Sequence, residues 1–125
     1  MQTSAVDPRV TAQIYDRLLG AIFPAEHVGV YAANPEYQKV VEHCTRLHLA
    51  SDARIILAKE QSEIPTGSTL PVFSGSYALL MNNPDVVGAF YWEKNHPKIV
   101  FVRPRLKRFG LSVAPDFVKY VVEQP

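Results

Sequence analysis

Residues 86–122, VVGAFYWEKNHPKIVFVRPRLKRFGLSVAPDFVKYVV, restrict the fold of this chain more than any other stretch. Residues 86–92 are a run of β-branched, aromatic and small side chains, and residues 98–102 are a second such run. Glu93, Lys94, Asn95, His96 and Pro97 between them have the length and composition of a hairpin loop. Pro104 stops the second strand, and Leu106 and Phe109 form a short apolar stripe that Gly110 ends. Pro115 opens a final helix with Phe117, Val118 and Val121 on one face. The segment reads strand, turn, strand, helical turn, helix. It speaks for a fold and names no substrate.

Upstream, Asp7-Pro8 is a cap-and-first-turn pair, and Val10, Ile14, Leu18, Leu19 and Ile22 recur at helical spacing, predicting a helix over residues 8–23. Residues 27–33 read as a short strand. Asn34-Pro35 repeats the capping signal, and Tyr37, Val40, Val41, Cys44, Leu47 and His48 follow as one amphipathic helical stripe. Residues 53–58 are a strand whose Ile55, Ile56 and Leu57 run without a polar break, the mark of burial on both faces of a parallel sheet. Residues 59–68 are a polar loop. Residues 70–73 make a brief strand that Pro71 assigns to a sheet edge or a strand start. Ser74, Gly75 and Ser76 then turn into a short helix ended by Asn82, Asn83 and Pro84. The resulting order, α-β-α-β-β-α-β-β-α, predicts a single α/β domain over residues 1–125. It is a three-layer sandwich with a mixed sheet of about five strands, a C-terminal antiparallel hairpin and a disordered tail at residues 1–6.

With 125 residues and one cysteine, the chain can bury a core of its own but can form neither an internal disulfide nor a zinc–thiolate cluster by itself. No apolar run spans a bilayer, so no transmembrane segment is expected. The net charge of +1 gives no global attraction to nucleic acid, yet the charge is uneven. Six Lys and Arg face nine Asp and Glu before position 93, and seven face three from there on. The opening MQTSAVDP has no basic n-region and no apolar h-region. It fits either a cytoplasmic protein or a secreted chain whose signal has been removed.

No nucleophile elbow, zinc-protease signature or glycine-rich phosphate loop is present, so no catalytic residue and no cofactor is assigned. Cys44 and His48 at i, i+4 could share a helix face toward a soft metal, but Cys44 sits on the apolar stripe and reads as a buried thiol. No metal site is expected. The most ligand-like loop is Ser74, Gly75, Ser76 and Tyr77, where a strand feeding a helix aims amides and hydroxyls at one point; Asn34 ends a neighbouring strand. The plainer reading of that turn is helix capping by Ser74 or Ser76. Arg103, Arg105, Lys107 and Arg108 are either a solvated helix flank or a docking patch. Tyr91 and Trp92 point to opposite faces of their strand, so one belongs to the core and the other is a candidate anchor for a partner.

The helix leading into VGVYAANPEYQKVVEHC, the DARIIL strand and the tail from Gly88 onward together resemble the YfiR-like family of bacterial periplasmic proteins. The resemblance covers most of the chain and lies in the order of elements. It implies an extracytoplasmic, non-enzymatic regulatory domain acting by contact with another protein, such as a membrane-bound signalling protein, or with a second copy of itself. The best-known member of that family looks disulfide-stabilised; Cys44 alone cannot reproduce that. The competing expectation is a small-ligand sensor domain using residues 74–77.

Overall fold

In the computed structural model, residues 7–125 are described; the tail expected at residues 1–6 lies outside the described residues. Helix α1, Pro8–Ile22, starts where the Asp7 carboxylate accepts from the Arg9 N–H at 2.9 Å. Ala12, Tyr15, Leu18, Leu19 and Ile22 form its buried face, while Val10 faces solvent. Strand β1, Val28–Tyr31, follows. Helix α2, Pro35–Glu42, is capped by Asn34, whose side-chain oxygen accepts from the Glu36 N–H at 2.8 Å.

The amphipathic stripe expected to reach His48 ends early. The Asp16 carboxylate on α1 accepts from the N–H groups of Thr45 and Arg46, at 2.8 and 3.0 Å, and from the Thr45 hydroxyl at 3.1 Å. These bonds satisfy amides that would otherwise seek helical carbonyls, and β-branched Thr45 is a weak helix former in any case. The chain turns out at His43, and Leu47–Leu49 become strand β2, parallel to β1. Residues 50–54 then cross β1 to reach strand β3, Ile55–Ala58, on its other side. The crossing passes over Gly29, where a Cβ would lie 2.9 Å from that of Ala50, so only glycine lets the link run this close.

Strand β4, Val72–Ser74, helix α3, Tyr77–Asn82, and strands β5, Val86–Glu93, and β6, His96–Val102, follow. The seven-stranded sheet has the order β2-β1-β3-β4-β5-β6-β7 and is parallel except for the antiparallel β5–β6 pair. The expected α/β class and C-terminal hairpin are therefore present, with two more strands than anticipated, both at sheet edges. Pro71 precedes β4, a central strand, so it marks a strand start and not an edge.

Alternate residues of the central strands serve the two layers. Ile55, Leu57, Phe73 and Phe90 pack with α1 and α2, whereas Ile56, Ala58, Val72 and Ala89 pack with Leu79 and Leu80 of α3. The unbroken apolar run at 55–57 is thus buried on both faces, as its composition required. The hairpin turns on Lys94 and Asn95 alone, both at positive φ (51° and 66°), the backbone of a two-residue type I′ turn. Helix α4, Arg103–Arg108, ends as expected at Gly110 (φ 72°). The final helix is replaced by a 3-10 turn, Pro115–Tyr120, and a two-residue strand β7, Val121–Val122, beside β6. Phe117 and Tyr120, three apart, both reach the core on a 3-10 turn, and the paired valines suit a strand.

Candidate functional site

Strands β1, β3, β4 and β5 all end on the same side of the sheet; the chain leaving the first three supplies Asn34, Lys59 and Gly75, and Trp92 stands near the end of β5 itself. With the first turns of α1 and α2, this end encloses a groove of about 500 Å³. Tyr15, Tyr37, Gly75, Phe90 and Trp92 form its walls, and Glu36, Lys39 and Lys59 stand among its charged lining groups. Carboxyl ends of parallel strands are where open α/β sheets place their ligands, because helix starts and loop amides converge there.

The turn singled out in the sequence frames this groove more than it lines it. Ser74 Oγ accepts from the Ser76 N–H at 2.9 Å, and Ser76 Oγ caps α3 by accepting from the Leu79 N–H at 3.3 Å. The Gly75 N–H donates to Tyr37 Oη at 2.7 Å. The amides expected to cradle an anion are therefore spent inside the chain, and capping is the role of Ser76. Gly75 is obligatory: a Cβ there would sit 2.4 Å from Tyr37 Oη. Asn34 is also committed, since its Nδ2 donates to Glu63 Oε2 at 3.0 Å while Glu63 Oε1 accepts from the Lys59 N–H at 2.8 Å. Tyr77 is 46% exposed and packs on Tyr91, ring centroids 5.3 Å apart, on the α3 side of the sheet. Of the five expected ligand residues, only Gly75 lines the groove.

Tyr15 and Tyr37 carry the polar chemistry that sequence reading missed. Both lie on apolar helix stripes, and the available signal was a hydroxyl placed where only carbon was needed. Tyr15 is 3% exposed, with its ring edge-on to Phe73 and Phe90 at 5.6 and 6.1 Å. Burial raises its hydroxyl well above the ordinary tyrosine range, with Tyr37 adding to the shift. Burial likewise pushes Tyr37 up to about 12, against the lowering effect of its hydrogen-bond partners. Both are protonated donors at neutral pH.

Tyr91 and Trp92 divide as their alternation demands. Tyr91 is half-buried against the α3 layer, whereas Trp92 is 53% exposed and packs on Phe90 at the groove rim, ring centroids 6.1 Å apart. The basic residues do not join them. Arg105 Nη1 donates to the carbonyls of Leu80, Asn83 and Val86, at 2.6, 3.2 and 3.0 Å. Val86 begins β5 and Trp92 lies six residues along it, roughly 20 Å away at ordinary strand rise. Arg103 pairs with Glu123 at 2.8 Å, and Arg108 pairs with Asp85 and donates to the Pro84 carbonyl at 3.1 Å. Neither Arg105 nor Lys107 has an ion pair among the described residues. The aromatic and basic residues singled out in the sequence thus sit at opposite ends of the hairpin, and Arg103, Arg105 and Arg108 are bonded within the chain.

Cys44 and His48 do not share a helix face, because His48 is on β2; its ring stands edge-on to His27 at 6.5 Å. Cys44 is half-buried against the core, its Sγ 3.4 Å from the Val40 carbonyl. Among the described residues no cluster of three or more His, Cys, Asp or Glu could hold a metal, and no helix is long and apolar enough to cross a membrane. In comparisons with known proteins, no family model, no curated protein and no solved structure matches this chain.

Proposed function

We propose that this chain is a non-enzymatic recognition domain whose working surface is the groove at the carboxyl ends of β1, β3, β4 and β5. One observation carries the reading. The chain's single tryptophan stands 53% exposed on the rim of an aromatic-walled depression, backed by Phe90 and the α1–α2 layer. Leaving that much aromatic surface in water is unfavourable, and exposed tryptophans backed by a rigid support are the usual anchors of binding surfaces. The regulatory, YfiR-like role in a bacterial envelope or signalling system, on the periplasmic side, rests on the resemblance in element order. In that role the domain acts by contact with a membrane-bound signalling protein, and Trp92 is the anchor. The cations of α4 are left out of the contact, since Arg105 and Arg108 are engaged within the chain.

The test is affinity capture from a detergent-solubilised envelope fraction with the wild-type chain, Trp92→Ala and Arg108→Ala. A defined partner retained by wild type and Arg108→Ala but lost by Trp92→Ala is the expected result. Equal capture by all three chains rules the groove rim out as the contact.

A further inference from the structure

We infer that the groove takes a small carboxylate carrying a planar apolar body, with the acid group held by the Tyr15 and Tyr37 hydroxyls. This rests on the groove's being the working surface, and it adds the chemistry of what enters. Tyr37 Oη already accepts from the Gly75 N–H, so its own proton must point elsewhere. Among the described residues no carbonyl or carboxylate accepts from either hydroxyl. If one hydroxyl donates to the other, a proton is still left over on the groove wall, whichever way the pair is arranged. Among the described residues no buried side-chain polar atom lacks a partner, so that proton lies where groove water reaches it, and an incoming oxygen acceptor takes the water's place.

The charges select among acceptors. Lys59 pairs with Glu36 at 3.4 Å, which leaves Lys39 as the lining charge with no ion pair among the described residues. The lining is therefore net positive and favours an anion over a cation. Phe90 and Trp92 offer flat apolar faces inclined at 55° to each other, and the groove volume is that of a metabolite-sized ligand. An acceptor that is anionic, next to a body that is flat and apolar, satisfies all three features together.

Benzoate and its neutral isostere benzamide make the matched probes, read by amide and indole NMR signals and by calorimetry. Benzoate should shift the Gly75 amide and the Trp92 indole N–H saturably, and benzamide should bind about tenfold or more weakly, the usual value of a charge-assisted hydrogen bond. Tyr15→Phe removes one of the two hydroxyls, so it should weaken benzoate by about five- to tenfold. Should Tyr15→Phe melt early, Lys39→Gln decides instead: it should weaken benzoate and leave benzamide alone. Absence of saturable shifts, equal binding of the two probes, or benzoate binding indifferent to both substitutions overturns the inference. Partner capture that depends on Trp92 without benzoate binding would sink this inference alone, whereas benzoate binding with capture indifferent to Trp92 would sink only the recognition reading.

Discussion

At the scale of single residues, the arginines of α4 show how differently equal charges can be used. Arg105 holds three carbonyls at the end of α3 and the start of β5, so Arg105→Ala removes a donor shared by all three and should cost about 1.5–3 kcal/mol of stability. Arg108, half exposed in its pair with Asp85, should cost no more than about 1 kcal/mol when replaced by alanine. Urea melts of the two variants check this, and equal losses would remove the structural role given to Arg105. Cys44 supplies a pH signature. Burial, reinforced by the negative charge of Asp16, raises its thiol from 9.0 to about 12. The folded state then holds that proton more tightly than the unfolded chain does. Its contribution is complete below about pH 9 and is lost as pH rises through about 12. Tyr37 adds a similar loss between about pH 10 and 12. The thermal midpoint should therefore fall from about pH 9 upward, and Cys44→Ala should delay the onset toward pH 10. Native thiol labelling should be slow at pH 8 and become fast in denaturant, because the thiolate is the reactive species.

At the scale of elements, the hairpin is the part that sequence reading located best and its turn the part read least closely. Glu93, His96 and Pro97 looked like loop residues, yet they extend the strands, and Pro97 is tolerated because β7 pairs only with Phe101 and Val102 of β6. Lys94 and Asn95 hold left-handed conformations that glycine and asparagine adopt at lower cost. The double change Lys94→Asn and Asn95→Gly should raise stability by about 0.5–1.5 kcal/mol, measured by thermal melts; a lower midpoint would contradict the type I′ turn. At the other end, Phe117, Tyr120 and Val121 pack on the main core from a 3-10 turn and a two-residue strand. A chain ended at Gly110 should lose its cooperative melting transition, and a fragment that melts sharply would make the C-terminal segment an appendage.

At the scale of the whole molecule, what the sequence made legible was what depends on periodicity. Ile55, Ile56 and Leu57 announced a strand buried on both sides, and two Asx-Pro pairs announced two helix starts. What stayed hidden depended on contacts distant in sequence. The loss of the last turns of α2 comes from Asp16, nearly thirty positions upstream, and no local pattern around Thr45 encodes it. The groove was hidden for the same reason, since Tyr15, Tyr37, Gly75 and Trp92 come from four separate elements. The basic run and Trp92, close in sequence, lie far apart because the hairpin carries them to its opposite ends.

That geometry has a mechanical side. Strand β4 supports β5 only as far as Ala89, so residues 90–93 and 96–99 form a two-stranded ribbon that overhangs the sheet and carries Trp92 near its tip. Such a ribbon is stiff along its length, where backbone hydrogen bonds form a continuous ladder, and compliant in torsion, because two strands twist more readily than seven. Its root is clamped where Arg105 grips Val86 and where β6 runs into α4. Trp92 is thus carried on the half of the hairpin that has a single neighbouring strand, while residues 86–89 are held on both edges within the sheet.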